Sequence, residues 1–170
     1  MSKTLTREAV TTSIDLDAGT RKTIVDSVNQ QLADTFDLFS QTKHAHWNVK
    51  GAQFGPLHKL FDELAEGLED HIDTIAERGT ALGGVARGSV RMAASASRLP
   101  EISLGAADGM DYVRALVQRF AELAKSTRAA IDEADEAGDA GTADMFTEVS
   151  RDLDKWLWFL EAHIQHGSPQ

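Results

Sequence analysis

An all-α fold, four amphipathic helices in two antiparallel pairs with one long crossover between the second and third, is what the sequence predicts. Three observations carry it. Apolar residues recur at intervals of three and four through four long stretches, the period of a helix that buries one face. Glycine and proline divide those stretches into gaps that run short, long, short. The chain has 170 residues and no cysteine, so one domain can bury a sufficient core without a disulfide staple.

Residues 1–20 have little apolar periodicity, and Lys3 and Arg7 with the terminal amine cancel Glu8, Asp15 and Asp17, so they read as a flexible N-terminal tail. The first helix is expected from Arg21 to Asn48, with Ile24, Val28, Leu32, Phe36 and Phe39 as its stripe. His46 falls on that stripe; His44 lies about 160° away. Gly51 to Gly55 make a short connection, and Pro56 suits the first turn of a second helix reaching Leu82. Its stripe includes Leu57, Phe61, Leu64, Leu68, Ile72 and Ile75.

Residues 83–106, with Gly83, Gly84, Gly88 and Pro100, form the crossover, with one short helix expected where Ile102 and Leu104 pack. A third long helix is expected over Asp108–Ala137, and Gly138 to Gly141 turn the chain. The last helix runs over Thr142–Gln165 until Gly167 stops it. Residues 21–166 thus form one bundle, and 167–170 a C-terminal tail. A short, long, short order of connections gives a four-helix bundle of the ferritin-like kind rather than a simple up-and-down one.

Formal net charge is −10, from 27 acidic against 17 basic side chains, which repels nucleic acid at long range and attracts cations. Without thiolates, any metal must be held by nitrogen and oxygen, which suits iron, manganese or zinc. No run of eighteen apolar residues and no signal-type segment occurs, so a soluble, cytoplasmic protein with no membrane role is expected.

Two pairs on the second helix, His58 with Asp62 and Asp73 with Glu77, are each four residues apart. At about 100° per residue the four fall near 0°, 40°, 60° and 100°, on one face. One such pair reads equally well as solvated polar residues; two pairs on one face, with His46 upstream, point to a metal. Asp73 lies 15 residues beyond His58, roughly 22 Å along a helix axis, too far for one ion. The simplest completion is a second copy packed antiparallel about a two-fold axis near Gly67 and Leu68, where a glycine lets backbones approach. His58 and Asp62 of one chain would then face Asp73 and Glu77 of the other, and His46, near the end of the first helix, can reach His58 near the start of the second. The Glu-x-x-His pairs of ordinary di-iron bundles are missing.

The motif His46-Trp47-Asn48-Val49-x-Gly51, then Phe54, Leu57-His58, Phe61-Asp62 and Asp70-His71-Ile72-Asp73-x-x-Ala76-Glu77-Arg78, resembles Dps, the DNA-binding proteins from starved cells or mini-ferritins. Leu82-Gly83-Gly84 and Asp152-Leu153-Asp154-Lys155-x-Leu157-Trp158-Phe159 extend the similarity over about residues 20–165. The resemblance implies a dodecameric shell and a ferroxidase centre at the two-fold interface, its metal ligands His46, His58, Asp62, Asp73 and Glu77. There Fe²⁺ would be oxidised, preferentially by H₂O₂ and also by O₂, and ferric mineral stored, protecting DNA from oxidative damage. Iron is the implied metal, with zinc or another divalent ion able to substitute. Trp47 would pack near the site.

The resemblance also implies acidic three-fold pores, matched by Asp139, Asp144 and Glu148, although Asp139 and Asp144 can equally serve a helix N-terminus. A lysine-rich DNA-binding tail is missing, so weak or no DNA binding is expected at physiological salt. Two other readings compete: a nucleoid-associated DNA-coating protein with a vestigial metal site, and a hydrolytic dimetal enzyme.

Overall fold

A computed structural model describes residues 10–103, 105 and 108–165, and among them every regular element is helical. Five helices occur in the order α1 (Ala18–Asn48), α2 (Phe54–Ala81), α3 (Val90–Ala96), α4 (Gly109–Glu136) and α5 (Ala140–Glu161). The first two form one antiparallel hairpin and the last two another, with α3 on the crossover, as the gap lengths predict. Largest among the fully buried side chains are Phe61, Phe120 and Phe146, one each from α2, α4 and α5.

The boundaries shift where polar side chains cap the helices. The first helix starts at Ala18 rather than Arg21 because the Asp17 carboxylate accepts hydrogen bonds from the Gly19 and Thr20 amides. Phe54 and Gly55 join α2 ahead of Pro56, which still lies in the first turn, where amides have no helical partner. The last helix begins at Ala140 because Asp139 caps it, and it ends at Glu161, short of Gln165. Residues 10–17, read from sequence as tail, lie against the bundle: Val10 donates its amide to Gly83 O at 2.9 Å, and Ile14 and Leu16 pack on the core. Lys3, Arg7, Glu8, Leu104 and Gly167 fall outside the described residues.

Two sequence expectations are corrected. Phe36 and Phe39 are only half-buried and pair edge to face at 6.1 Å, while Leu38 and Thr42 are fully buried. The reason is a second buried face on α1, made of polar residues that grip the crossover. Asn29 bonds Val85 O and the Arg87 amide, Gln41 bonds Pro100 O, and Asp34, 1% exposed, receives the Arg98 amide and guanidinium. From α4, buried Arg119 donates to Gln41, Pro100 O, Ala115 O and Glu101 O. Burial pulls its pKa below the usual guanidinium value, and those oxygens replace lost water. The short helix also lies earlier than expected, over Val90–Ala96, where the Ser89 hydroxyl accepts from the Met92 amide. Ile102 packs in the core from non-helical chain instead.

Candidate metal centre

Where α1 ends and α2 begins, the short turn at Gly51 (φ 98°) folds the two helices back on each other. His46 and His58 meet there, with rings stacked at 3.8 Å between centroids. His46 Nδ1 lies 2.7 Å from His58 O, and His58 Nδ1 lies 2.9 Å from His46 O. A carbonyl oxygen only accepts, so each Nδ1 must carry the proton. In the neutral rings, therefore, both Nε2 atoms hold free lone pairs, the arrangement that metal-binding histidines need. Phe54 also stacks on His58, at 5.1 Å between centroids.

Asp62 completes the cluster one turn along α2. Its Oδ1 is 3.8 Å from His46 Nε2 and only 2.7 Å from Lys43 Nζ. The Lys43 hydrogen bond is the main force holding the Asp62 carboxyl below the usual carboxylate range; slight burial opposes it and the histidines assist. Lys43 was not anticipated from sequence, although it precedes His46 by one helical turn on the same side of α1. Trp47 is 68% exposed, its ring centroid 6.0 Å from Lys43 Nζ.

The fold thus brings His46, His58 and Asp62 together within one chain and leaves Asp73 and Glu77 apart from them, exposed farther along the same face of α2. Among the described residues of the single chain, no group of three or more His, Asp or Glu side chains is placed to hold a metal ion. The half-site has two nitrogen donors and one oxygen donor that an ammonium already engages.

The glycine expected to ease a two-fold approach has another role. A Cβ on Gly67 would lie 2.3 Å from Trp156 Cζ2, so Gly67 admits the α5 indole, and neighbouring Leu68 is buried in the core. On the helical wheel Gly67 stands about 130° from the middle of the carboxylate face.

Of the three carboxylates matched to a pore, Asp139 is 3% exposed and fully engaged: it bonds Arg78 at 2.6 Å, the Thr142 amide at 3.1 Å and the Thr142 hydroxyl at 2.5 Å. Its observed place is that of a helix cap. Asp144 and Glu148 are exposed, one turn apart on α5.

Two helical hairpins joined by a crossover, carrying a histidine–carboxylate cluster without thiolates, define a ferritin-like protein. The ferritin-like domain model matches residues 25–168. Within that class the chain belongs to the Dps family, the DNA protection during starvation proteins: it is 46% identical to the one of Agrobacterium fabrum over 92% of this chain and 97% of that one. DpsC from Streptomyces coelicolor superposes with a TM-score of 0.90 at 30% identity, covering 97% of this chain and 98% of that one. The Dps protein of Vibrio cholerae, described as a member of a broad superfamily of ferritin-like diiron-carboxylate proteins, superposes with a TM-score of 0.85 at 28% identity over 94% and 100% of the two chains. Among the described residues no helix is long and apolar enough to cross a membrane.

Proposed function

We propose that this protein oxidises Fe²⁺ at centres shared between two subunits and stores the ferric product inside a dodecameric shell. The carrying observation is the pair of histidines whose Nδ1–H groups are tied to each other's carbonyls, leaving both Nε2 lone pairs free and that of His46 3.8 Å from Asp62 Oδ1. The diiron-carboxylate description of the Vibrio cholerae relative supports iron as the metal handled. Iron here is substrate and cargo, and zinc or another divalent ion is a fitting non-redox substitute for these donors.

In this reading His46, His58 and Asp62 of one subunit face Asp73 and Glu77 of its two-fold partner. The two carboxylates are exposed, as a site completed by another copy requires. Histidine Nε2 atoms bind Fe²⁺ while carboxylates offset the added charge of Fe³⁺. Each H₂O₂ takes one electron from each of two ferrous ions and, with two protons, leaves as two waters; peroxide is the proposed preferred oxidant and O₂ the second. Peroxide is thereby removed without releasing hydroxyl radical, which protects DNA chemically in the cytoplasm or on the nucleoid. Trp47 is proposed to pack beside the centre. Asp144 and Glu148 are proposed to draw Fe²⁺ to an opening at the start of α5, which Asp139 builds as its cap.

Anaerobic loading with Fe²⁺ followed by a pulse of peroxide tests this. Ferric absorbance should rise in step with peroxide consumed in the parent, and far more slowly in Asp73→Ala. A parent that gives no ferric signal but retains DNA on a gel at about 0.15 M salt would instead establish the DNA-coating reading with a vestigial site; the acidic net charge of −10 argues against such retention.

A further inference from the structure

Opposite the carboxylate face of α2 lies the seam where α5 packs. Three contacts define it: Gly67 against the Trp156 ring, His71 Nε2 at 3.1 Å from Asp152 Oδ2, and Arg78 against the first turn of α5. Counted from His58 at about 100° per residue, Gly67, His71 and Arg78 fall near 180°, 220° and 200°, whereas the four candidate ligands span 0° to 100°. A helix is rigid about its own axis, so fixing the seam face fixes where Asp73 and Glu77 point.

Arg78 is the most constrained of the three. Its Nη2 donates to Asp139 Oδ1 at 2.6 Å and its Nε to the Thr142 hydroxyl at 2.8 Å. Thr142 in turn donates its hydroxyl to Asp139 Oδ2, closing a ring of three side chains. Asp139 and Thr142 are 3% and 0% exposed. A Cβ on Gly141 would stand 3.2 Å from Arg78 Nη2, so the guanidinium lies on the backbone of α5 itself. The neighbour of Arg78 is Glu77, four residues before α2 ends at Ala81, where the Leu82, Gly84 and Gly83 amides close the Arg78, Gly79 and Thr80 carbonyls and leave the Arg78 side chain as the tie from this end of α2 to α5.

We infer that Arg78, locked by Asp139 and Thr142, is a positioning residue that holds Glu77 and, one turn back, Asp73 in the orientation a bound metal needs. The inference rests on the metal reading above. The planar fork bridges a carboxylate and a hydroxyl at once; a lysine ammonium keeps the charge and loses that geometry. The same lock fixes the first turn of α5, so it ties the carboxylate end of α2 to the segment bearing Asp144 and Glu148.

Co²⁺ titration of the assembled protein tests the lock, because the visible band of Co²⁺ reports coordination geometry and needs no oxidant. Arg78→Gln and Asp139→Asn should each weaken Co²⁺ binding about ten-fold and change the band, as loss of a supporting residue around metal ligands typically does. Arg78→Lys should recover part of the affinity. Arg98→Gln, which breaks the buried Asp34 pair between α1 and the crossover and touches no part of the α2–α5 seam, should lower thermal stability and leave the band unchanged. If Arg78→Gln fails to assemble, Asp139→Asn and Arg78→Lys decide the matter. Wild-type band and affinity in the assembled variants, with only thermal stability lost, overturn the positioning role alone; a wild-type protein that gives no Co²⁺ band overturns the metal reading beneath it.

Discussion

His46 and His58 each donate a ring Nδ1–H to the main-chain carbonyl of the other, at 2.7 and 2.9 Å, across the turn that joins α1 to α2. One reciprocal clasp therefore closes the hairpin and fixes both tautomers. Replacing His58 by Ala removes one of those bonds and one nitrogen donor. Stability should fall by about 1 kcal/mol in thermal denaturation, while the rate of Fe²⁺ oxidation should fall at least about ten-fold. A variant with unchanged oxidation would remove His58 from the centre.

In the proposed centre Lys43, 2.7 Å from Asp62 Oδ1, would compete with a metal for that carboxylate. Lys43→Met keeps the aliphatic stem and removes the ammonium, so Zn²⁺ should bind up to about five-fold more tightly by calorimetry, the scale of a half-exposed ion pair. The pH dependence has a definite sign. The folded-state pKa of Asp62 is depressed, chiefly by the Lys43 hydrogen bond, so the stabilisation from that pair is fully present above the ordinary carboxylate pKa. It is lost as pH falls through the depressed value. In Lys43→Met the Asp62 titration, followed by NMR, should move up toward the ordinary range; a titration that stays put would show that Lys43 does not hold it.

A shared centre has a genetic signature. His58→Ala and Asp73→Ala should each be nearly inactive alone. In a mixed dimer, however, one of the two centres draws His58 from the intact first half and Asp73 from the intact second half. Co-refolding equal amounts should restore roughly a quarter of the parental ferroxidase rate. No recovery in a mixture shown by mass to contain mixed dimers would mean that each subunit holds its own metal.

Gly67→Ala tests how α2 and α5 fit together. The added methyl would meet the Trp156 ring at 2.3 Å, so overpacking should destabilise the bundle by about 1 to 3 kcal/mol in chemical denaturation. Pairing it with Trp156→Leu should recover much of that loss, which a role for Gly67 at a subunit contact would not predict.

The sequence determined by itself what depends on periodicity and neighbours along the chain. Apolar residues such as Leu57, Phe61, Leu64 and Leu68 fix a helix and its buried face, the unequal gaps fix how the helices must pair, and the four-residue spacing of His58 with Asp62 and of Asp73 with Glu77 places them on one side. The motif around His46 and His58 is enough to carry the family resemblance. Tertiary structure alone decided what depends on which distant groups meet. Lys43 reaches Asp62 only once α1 and α2 have folded together, Gly67 admits Trp156 only across the α2–α5 seam, and Asp139 becomes a buried cap because Arg78 arrives from another helix. The short crossover helix settled at Val90–Ala96 because polar residues on α1 hold the chain beyond it, contacts that a hydrophobic pattern does not record. Burial of apolar surface acts wherever the pattern repeats, whereas a hydrogen bond or ion pair acts only between the particular atoms that the fold brings within about 3 Å.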